Sequence, residues 1–176
     1  MKKYLSTSLI IILSITLTYG QQLKPNSVVR ANQITYNVQE VTAHGIPYDY
    51  LSVVNKNNIY HGRIPKNRNP DMSFPFTDKS KLLKAFTQTF STERIKQLLP
   101  ERRIDITFYV SPQGKVLDVS FLVNKNTLLT ATELEALENA IKATVSFKIQ
   151  LQDTKEHDFF DVGYPVIYER LLKGTI

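Results

Sequence analysis

Residues 103–149 read RIDITFYVSPQGKVLDVSFLVNKNTLLTATELEALENAIKATVSFKI, and this stretch decides the fold. Apolar side chains fill every second position on either side of a turn: Ile104, Ile106, Phe108 and Val110 before it, and Leu117, Val119, Phe121 and Val123 after it. This period of two predicts two strands, each with one buried face. Between them, Pro112 presets the first φ of a type I turn, and Gly114 suits the left-handed position that closes a bulged hairpin.

A helix is predicted directly after the hairpin. Thr130 and Glu133 have the spacing of a capping box. Apolar side chains then recur near the helical period at Leu134, Leu137, Ile141 and Val145. We predict a helix over residues 131–144 that covers the apolar face of the hairpin, because two strands cannot bury that face alone. Its acidic residues, Glu133, Glu135 and Glu138, are assigned to the first turn and the exposed face.

The N-terminal residues 1–20 have the features of an export signal. Two lysines precede an apolar run over residues 5–17, and small residues lead to a cut before Gln21. The run is shorter than the roughly 20 apolar residues that a membrane-spanning helix needs. We therefore predict cleavage, a periplasmic or secreted protein, and no stable membrane anchor after cleavage.

The composition excludes several kinds of chemistry. The protein has no cysteine, so it has neither a disulfide nor a cysteine nucleophile. No serine lies in a Gly-x-Ser-x-Gly elbow, and no phosphate-binding glycine motif occurs. The three histidines, His44, His61 and His157, lack the i, i+4 spacing of a helical zinc site. We predict a non-enzymatic protein with no catalytic residue, no metal and no cofactor.

Strands are predicted ahead of the hairpin as well. Alternating apolar residues indicate strands over Val28–Ala43 and Tyr48–Val54, and the second of these pairs with a short third strand, Ile59–Tyr60. Residues 21–27 lack periodicity and are expected to be a mobile lead-in. Residues 61–75, rich in proline and basic side chains, are expected to form a loop.

An apolar stripe at helical spacing follows this loop. It consists of Leu82, Leu83, Phe86, Phe90, Ile95, Leu98 and Leu99. Asp78 or Thr77 can cap the helix, and Pro100 ends it. One kinked helix and two short helices both fit the pattern.

Two strands are predicted after the helix at residues 131–144. Alternation indicates one over residues 145–152 and another over residues 160–168. The last strand contains Gly163 and Pro165, and a proline has no N–H for a ladder hydrogen bond. We therefore expect this strand at an edge of the sheet.

These elements predict an α+β fold with a mainly antiparallel sheet. The β-hairpin and its covering helix are joined by further strands, an N-terminal β extension and an N-terminal helix. Residues 21–176 are expected to form one domain, with a β-rich part at 21–75 and a helix-plus-hairpin part at 76–176. The sequence leaves open whether the N-terminal strands join the later sheet or form their own.

One basic segment is a candidate anion-binding site. His61, Arg63, Lys66 and Arg68 lie close together in the sequence beside Tyr60. Cations mixed with an aromatic side chain are typical of surfaces that bind anionic ligands. Nucleic acid is not an expected partner, because the protein is predicted to be exported.

The hairpin module resembles the C-terminal domain of the TonB energy-transducer family over roughly residues 100–168. The similar residues are Ile106–Val110, Gly114–Val119, Glu133–Ala143 and Phe147–Ile149. The resemblance implies a periplasmic domain that adds a short segment of an outer-membrane transporter as a strand to its sheet edge. The sequence lacks the family's proline-rich spacer and its N-terminal apolar run looks cleavable, so the fold is expected to carry over without the energy-transducing role.

The functional prediction is an exported module that binds a protein or peptide at an exposed strand. Its partner would be an envelope protein or a segment of an outer-membrane transporter. The candidate binding residues lie on the last strand: Val162, Tyr164, Val166, Ile167 and Tyr168. The alternatives are a small-ligand binder or hydrolase with a pocket between the sheet and the helix at residues 79–99, and a structural or inhibitor-like envelope protein.

Overall fold

The computed structural model describes residues 21–43, 46–66, 75–149 and 157–176. These residues form six strands and four helices, in the order β1 Ser27–Arg30, β2 Thr35–Ala43, β3 Ile46–Asn55, α1 Lys79–Thr89, α2 Thr92–Leu98, β4 Arg103–Val110, β5 Val116–Asn124, α3 Ala131–Thr144, β6 Phe160–Ile167 and α4 Tyr168–Leu172. A short 3₁₀ helix, Leu99–Glu101, connects α2 to β4. The fold is α+β with an antiparallel sheet, as the sequence predicts.

All six strands belong to one antiparallel sheet with the order β1-β2-β3-β5-β4-β6. The N-terminal strands join the later ones through β3 and β5, where Leu51 lies opposite Val123 and Val53 lies opposite Phe121. These four side chains are buried. The question that the sequence left open is thereby answered, because the N-terminal strands extend the same sheet.

The central hairpin and helix are confirmed. β4 pairs with β5 with Phe108 opposite Val119, and Gly114 takes a left-handed φ of 84° in the turn. α3 begins at the predicted residue, because the Thr130 side chain accepts a hydrogen bond from the backbone N–H of Glu133 and the Glu133 side chain accepts one from that of Thr130.

The region between residues 78 and 98 forms two short helices. Asp78 caps α1 by accepting a hydrogen bond from the Ser80 N–H, and Ser91 caps α2 by accepting one from the Arg94 N–H. Helices α1 and α2 pack together with α3 on one face of the sheet. The core between them contains Leu82, Phe86, Leu98, Phe108, Phe121, Leu134, Leu137 and Ile141, all of them at most 1% exposed. No helix among the described residues is long and apolar enough to cross a membrane.

Three predicted strand features are wrong. The expected strand Val28–Ala43 is broken at residues 31–34 into β1 and β2, which pair as a hairpin. The expected strand Ile59–Tyr60 is part of a turn, because the Asn58 side chain accepts hydrogen bonds from the backbone N–H groups of residues 60 and 61 and competes with a ladder. Leu117 sits at a bulge in β5, where the register shifts, so Val116 occupies the buried position instead.

Residues 145–149 do not form the predicted strand, and residues 150–152 of that prediction lie outside the described part. The segment makes only isolated bridges, Lys115 to Ser146 and Phe76 to Phe147. The Phe147 N–H donates to the Gly114 carbonyl at 2.8 Å, so the segment crosses the end of the hairpin instead of extending a strand. Alternating hydrophobicity here reflects burial on one side of a crossing segment.

The predicted mobile lead-in at residues 21–27 is also wrong. Leu23 is only 4% exposed and belongs to the core. The Gln21 carbonyl accepts a hydrogen bond from the Ala131 N–H at 3.0 Å, and Gln22 bridges to Thr130. The first described residues are therefore fixed against the N-terminus of α3.

Candidate functional site

The last strand, β6, lies at an edge of the sheet, as its proline predicts. Within the described residues β6 pairs only with β4, with Tyr164 opposite Ile106 and Val166 opposite Ile104. An edge strand presents backbone groups along its free side, where another strand can add.

The direction of the backbone groups on β6 follows from one hydrogen bond just beyond its end. The Tyr168 N–H donates to the Arg102 carbonyl at 3.0 Å. Successive residues of an antiparallel strand point their backbone groups alternately toward and away from the partner. The even-numbered residues of β6 therefore bond to β4, and Gly163, Pro165 and Ile167 direct their backbone groups away from it.

This alternation explains how β6 tolerates a proline. Pro165 would lack a ladder hydrogen bond if its nitrogen faced β4, but it faces the free side. The free side then offers the N–H groups of Gly163 and Ile167 and the carbonyl groups of Gly163 and Pro165. Gly163 is exposed, and a Cβ built on it has no heavy atom within 4 Å, so nothing crowds the strand there.

The predicted binding residues of β6 divide between surface and core. Val162, Tyr164 and Ile167 are half-buried, and the Tyr164 ring packs edge-on against Phe76 with centroids 4.9 Å apart. Val166 and Tyr168 are at most 1% exposed and belong to the core. Only three of the five predicted side chains are therefore accessible to a partner.

A cleft of about 540 Å³ lies beside the C-terminal end of β6, and the sequence did not predict it. It is lined by Leu99, Arg102, Arg103, Ile167 and Glu169. The Arg103 guanidinium pairs with Asp105 at 3.1 Å, and Glu169 pairs with Lys173 at 2.6 Å. The alternative pocket between the sheet and residues 79–99 stays a prediction. Of that segment, Leu99 lines this cleft, whereas Leu82 and Phe86 of α1 are buried in the core.

The described part of the basic segment, residues 60–66, is held by contacts with Tyr109 of β4 and with Asp158 and Phe159, which precede β6. The Arg63 guanidinium pairs with Asp158 at 3.0 Å, and the Lys66 backbone N–H donates to the same carboxylate. These bonds, that of the Lys66 N–H foremost, hold the pKa of Asp158 below its usual value. Asp158 therefore pairs with Arg63, one of the cations that the anion-binding prediction assigned to an anionic ligand.

The remaining members of the basic segment are placed as follows. The His61 Nδ1 lies 3.0 Å from the Tyr109 hydroxyl, and the Tyr60 ring packs between Tyr109 and Phe159. The Lys66 side chain is exposed, and Arg68 lies outside the described residues. Anion binding at this segment stays a prediction.

Two glutamates that the sequence assigned to the exposed face of α3 are buried. Glu135 is 4% exposed and accepts hydrogen bonds from three consecutive backbone N–H groups, those of residues 32–34, at 2.7 to 3.2 Å. Glu138 is fully buried and accepts from the Tyr36 hydroxyl at 2.9 Å and from the Asn55 amide at 3.0 Å. The prediction failed because the N-terminal strands cover this side of α3, which helical period alone cannot show.

The described residues contain no group of three or more histidine, cysteine, aspartate or glutamate side chains placed to hold a metal ion. His157 contacts the Lys66 carbonyl at 3.1 Å and packs on Phe160, while His44 lies outside the described part.

Comparison with known proteins establishes the fold alone. No protein-family model matches the sequence, and no curated protein matches it. The fold is similar to a crystal structure of a DUF5043 family protein from Bacteroides uniformis ATCC 8492, with a TM-score of 0.66 and 14% sequence identity. The match covers 84% of this protein and 90% of that one. None of these comparisons tests the resemblance to the TonB C-terminal domain, which stays a prediction.

Proposed function

We propose that this protein is an exported, non-enzymatic module that binds an extended segment of another protein by adding it as a strand to the free side of β6. The observation that carries the proposal is the outward direction of the Gly163 and Ile167 N–H groups on the terminal strand of the sheet. The resemblance of residues 100–168 to a strand-adding domain supports it, and the predicted signal at residues 1–20 supports a partner in the cell envelope.

The free side of β6 suits one short segment better than open-ended assembly. It offers two N–H and two carbonyl groups between Gly163 and Ile167, and each backbone hydrogen bond contributes a net stabilisation of about 0.5–1.5 kcal/mol. Pro165 has no N–H between these two, which disfavours edge-to-edge association of many strands at β6. Side-chain contacts at Tyr164 and in the adjacent cleft would supply the specificity.

The test uses two substitutions at one exposed glycine. Gly163→Pro removes the outward N–H but no hydrogen bond to β4, whereas Gly163→Ala retains the N–H and places a methyl group in open space. Strand-forming peptides are selected from a displayed random library on the protein from Gln21 to Ile176. Their dissociation constants are then measured on the native protein and on both variants, after thermal melts have shown that each variant folds.

We expect Gly163→Pro to weaken peptide binding roughly tenfold or more, and Gly163→Ala to change it less than about twofold. Hydrogen exchange supplies a second readout, because the Gly163 and Ile167 amides should exchange more slowly when peptide is bound. If no peptide is selected, or if both variants bind as the native protein does, strand addition at β6 is excluded.

A further inference from the structure

We propose that the segment that pairs with β6 carries an acidic side chain, and that Arg102 binds its carboxylate in the cleft beside Ile167. This inference rests on the proposed function and specifies the chemistry of its partner. It follows from the charges in the cleft, from the backbone of Arg102 and from the direction in which a strand would add.

The charges in the cleft leave one cation available. Arg103 forms an ion pair with Asp105, and Glu169 forms one with Lys173. Across the described residues the Arg102 side chain makes neither a hydrogen bond nor an ion pair, and it is exposed. A guanidinium donates paired hydrogen bonds to a carboxylate, so the unmatched group of this cleft is complementary to an acid.

The backbone of Arg102 is held in a conformation that side-chain-bearing residues avoid. Its φ of 67° and ψ of −51° lie close to those of a strained γ-turn. Its N–H donates to the Leu99 carbonyl and its carbonyl accepts from the Tyr168 N–H, both at 3.0 Å. A glycine would relieve this strain, so backbone preference does not explain an arginine here, whereas a contact of its side chain with a bound partner would.

The direction in which a strand would add decides whether the carboxylate is the C-terminus of the partner or one of its side chains. Antiparallel pairing, the more stable arrangement, brings the N-terminal end of the partner segment to Ile167. A terminal carboxylate of the partner would then lie at the far end of β6, away from Arg102. The carboxylate therefore belongs to an aspartate or glutamate side chain, and the apolar Leu99 and Ile167 beside it suit an apolar neighbour of that acid.

The experiment uses seven-residue peptides from the library selection described above. Each peptide is acetylated at its N-terminus and amidated at its C-terminus, so that neither end carries a charge. Each acidic peptide is paired with a copy in which glutamine replaces the glutamate. Binding of both is measured on the native protein, on Arg102→Gly, on Arg102→Lys and on Arg30→Gln, a matched loss of charge on β1 at the opposite edge of the sheet.

On the native protein and on Arg30→Gln we expect the glutamate peptide to bind roughly tenfold more tightly than its glutamine copy, and added salt to narrow that ratio. Arg102→Gly should bring the ratio close to one while its melting temperature stays equal or rises. Arg102→Lys should leave an intermediate ratio, because a lysine keeps the charge but not the paired hydrogen bonds.

An unchanged ratio in Arg102→Gly, or no preference for acid on the native protein, would overturn this inference. So would a requirement for a free C-terminus. In each of these cases the contrast between Gly163→Pro and Gly163→Ala still stands, and strand addition survives. If that contrast is absent, the proposed function fails and the acidic partner fails with it.

Discussion

At the scale of single residues, Glu138 is a carboxylate held in the interior of the protein. It is fully buried, and its carboxylate is faced by Tyr36, Asn55, Lys142 and Asp118. Burial raises its pKa, while the hydrogen bonds from Asn55 and Tyr36 oppose that rise. Burial raises the pKa of Tyr36 well above its usual value, and the carboxylates of Glu138 and Glu135 add to that rise.

The raised pKa of Glu138 predicts how stability depends on pH. The folded state holds the proton at pH values where the unfolded state has released it, so the stabilisation is complete below the ordinary glutamate pKa and is lost as pH rises through the folded pKa. Glu138→Gln has no such proton. We expect the unfolding free energy of the variant, relative to that of the native protein, to be higher at about pH 8 than at about pH 4.

Urea denaturation at both pH values measures this difference. Glu93→Gln on the exposed side of α2 is the matched control for replacing a glutamate. A difference for Glu138→Gln that stays constant between the two pH values would show that Glu138 binds its proton equally in the folded and unfolded states, which would contradict the prediction.

The burial of Glu135 and Glu138 could not be predicted from the sequence, whereas the capping of their helix could. The capping pair Thr130 and Glu133 was predictable, because both groups act within one helical turn. The partners of Glu138, Tyr36 and Asn55, are 102 and 83 residues away in the sequence. No local pattern encodes a contact of that separation.

At the scale of elements, the turn between β4 and β5 requires a glycine at position 114. Gly114 has a φ of 84°, and a Cβ built on it would lie 2.1 Å from the Phe147 carbonyl oxygen. Gly114→Ala must therefore strain its own φ and also displace residues 145–149, whose Phe147 N–H bonds to the Gly114 carbonyl. We expect a loss of at least about 3 kcal/mol of unfolding free energy, measured by urea denaturation.

Alanine substitutions at two other glycines separate the cost of the strained φ from the cost of the contact with Phe147. Gly62 has a φ of 77° but open space around its Cβ, so Gly62→Ala should cost only about 1–2 kcal/mol. Gly163→Ala lacks both penalties and should be close to neutral. If Gly114→Ala costs no more than Gly62→Ala, the close approach to Phe147 does not contribute to stability.

An element was predicted correctly where the residues that determine it lie within the element itself. α3 and the hairpin carry their caps and turn residues within the sequence, and both were predicted with close boundaries. Residues 145–149 alternate as a strand does, yet their partners are a turn and a residue ahead of α1. The cleft beside β6 was not predictable, because the 3₁₀ helix, β4, β6 and α4 meet there only in three dimensions.

At the scale of the whole molecule, the β3–β5 pairing determines whether the N-terminal and C-terminal halves fold together. It is the junction through which β1 to β3 join β4 to β6 in one sheet. The same N-terminal strands and their connections satisfy the two buried carboxylates of α3. Unfolding the N-terminal half would therefore break the hydrogen bonds of Glu135 and Glu138 and expose the apolar side chains of β5 that β3 buries, Phe121 and Val123.

This dependence predicts one cooperative unfolding transition. Ser52 lies in β3 opposite Leu122 of β5, and proline in a central strand removes a ladder hydrogen bond to one neighbour or the other. We expect Ser52→Pro to destabilise the protein by about 3 kcal/mol or more, and Ser52→Ala to have a much smaller effect. Native-state hydrogen exchange should show β4 and β6 losing protection together with β3, since the halves share one core. If the amides of β4 remain as protected in Ser52→Pro as in Ser52→Ala while those of β3 exchange freely, the C-terminal half folds independently, and β6 can present its edge without the N-terminal strands.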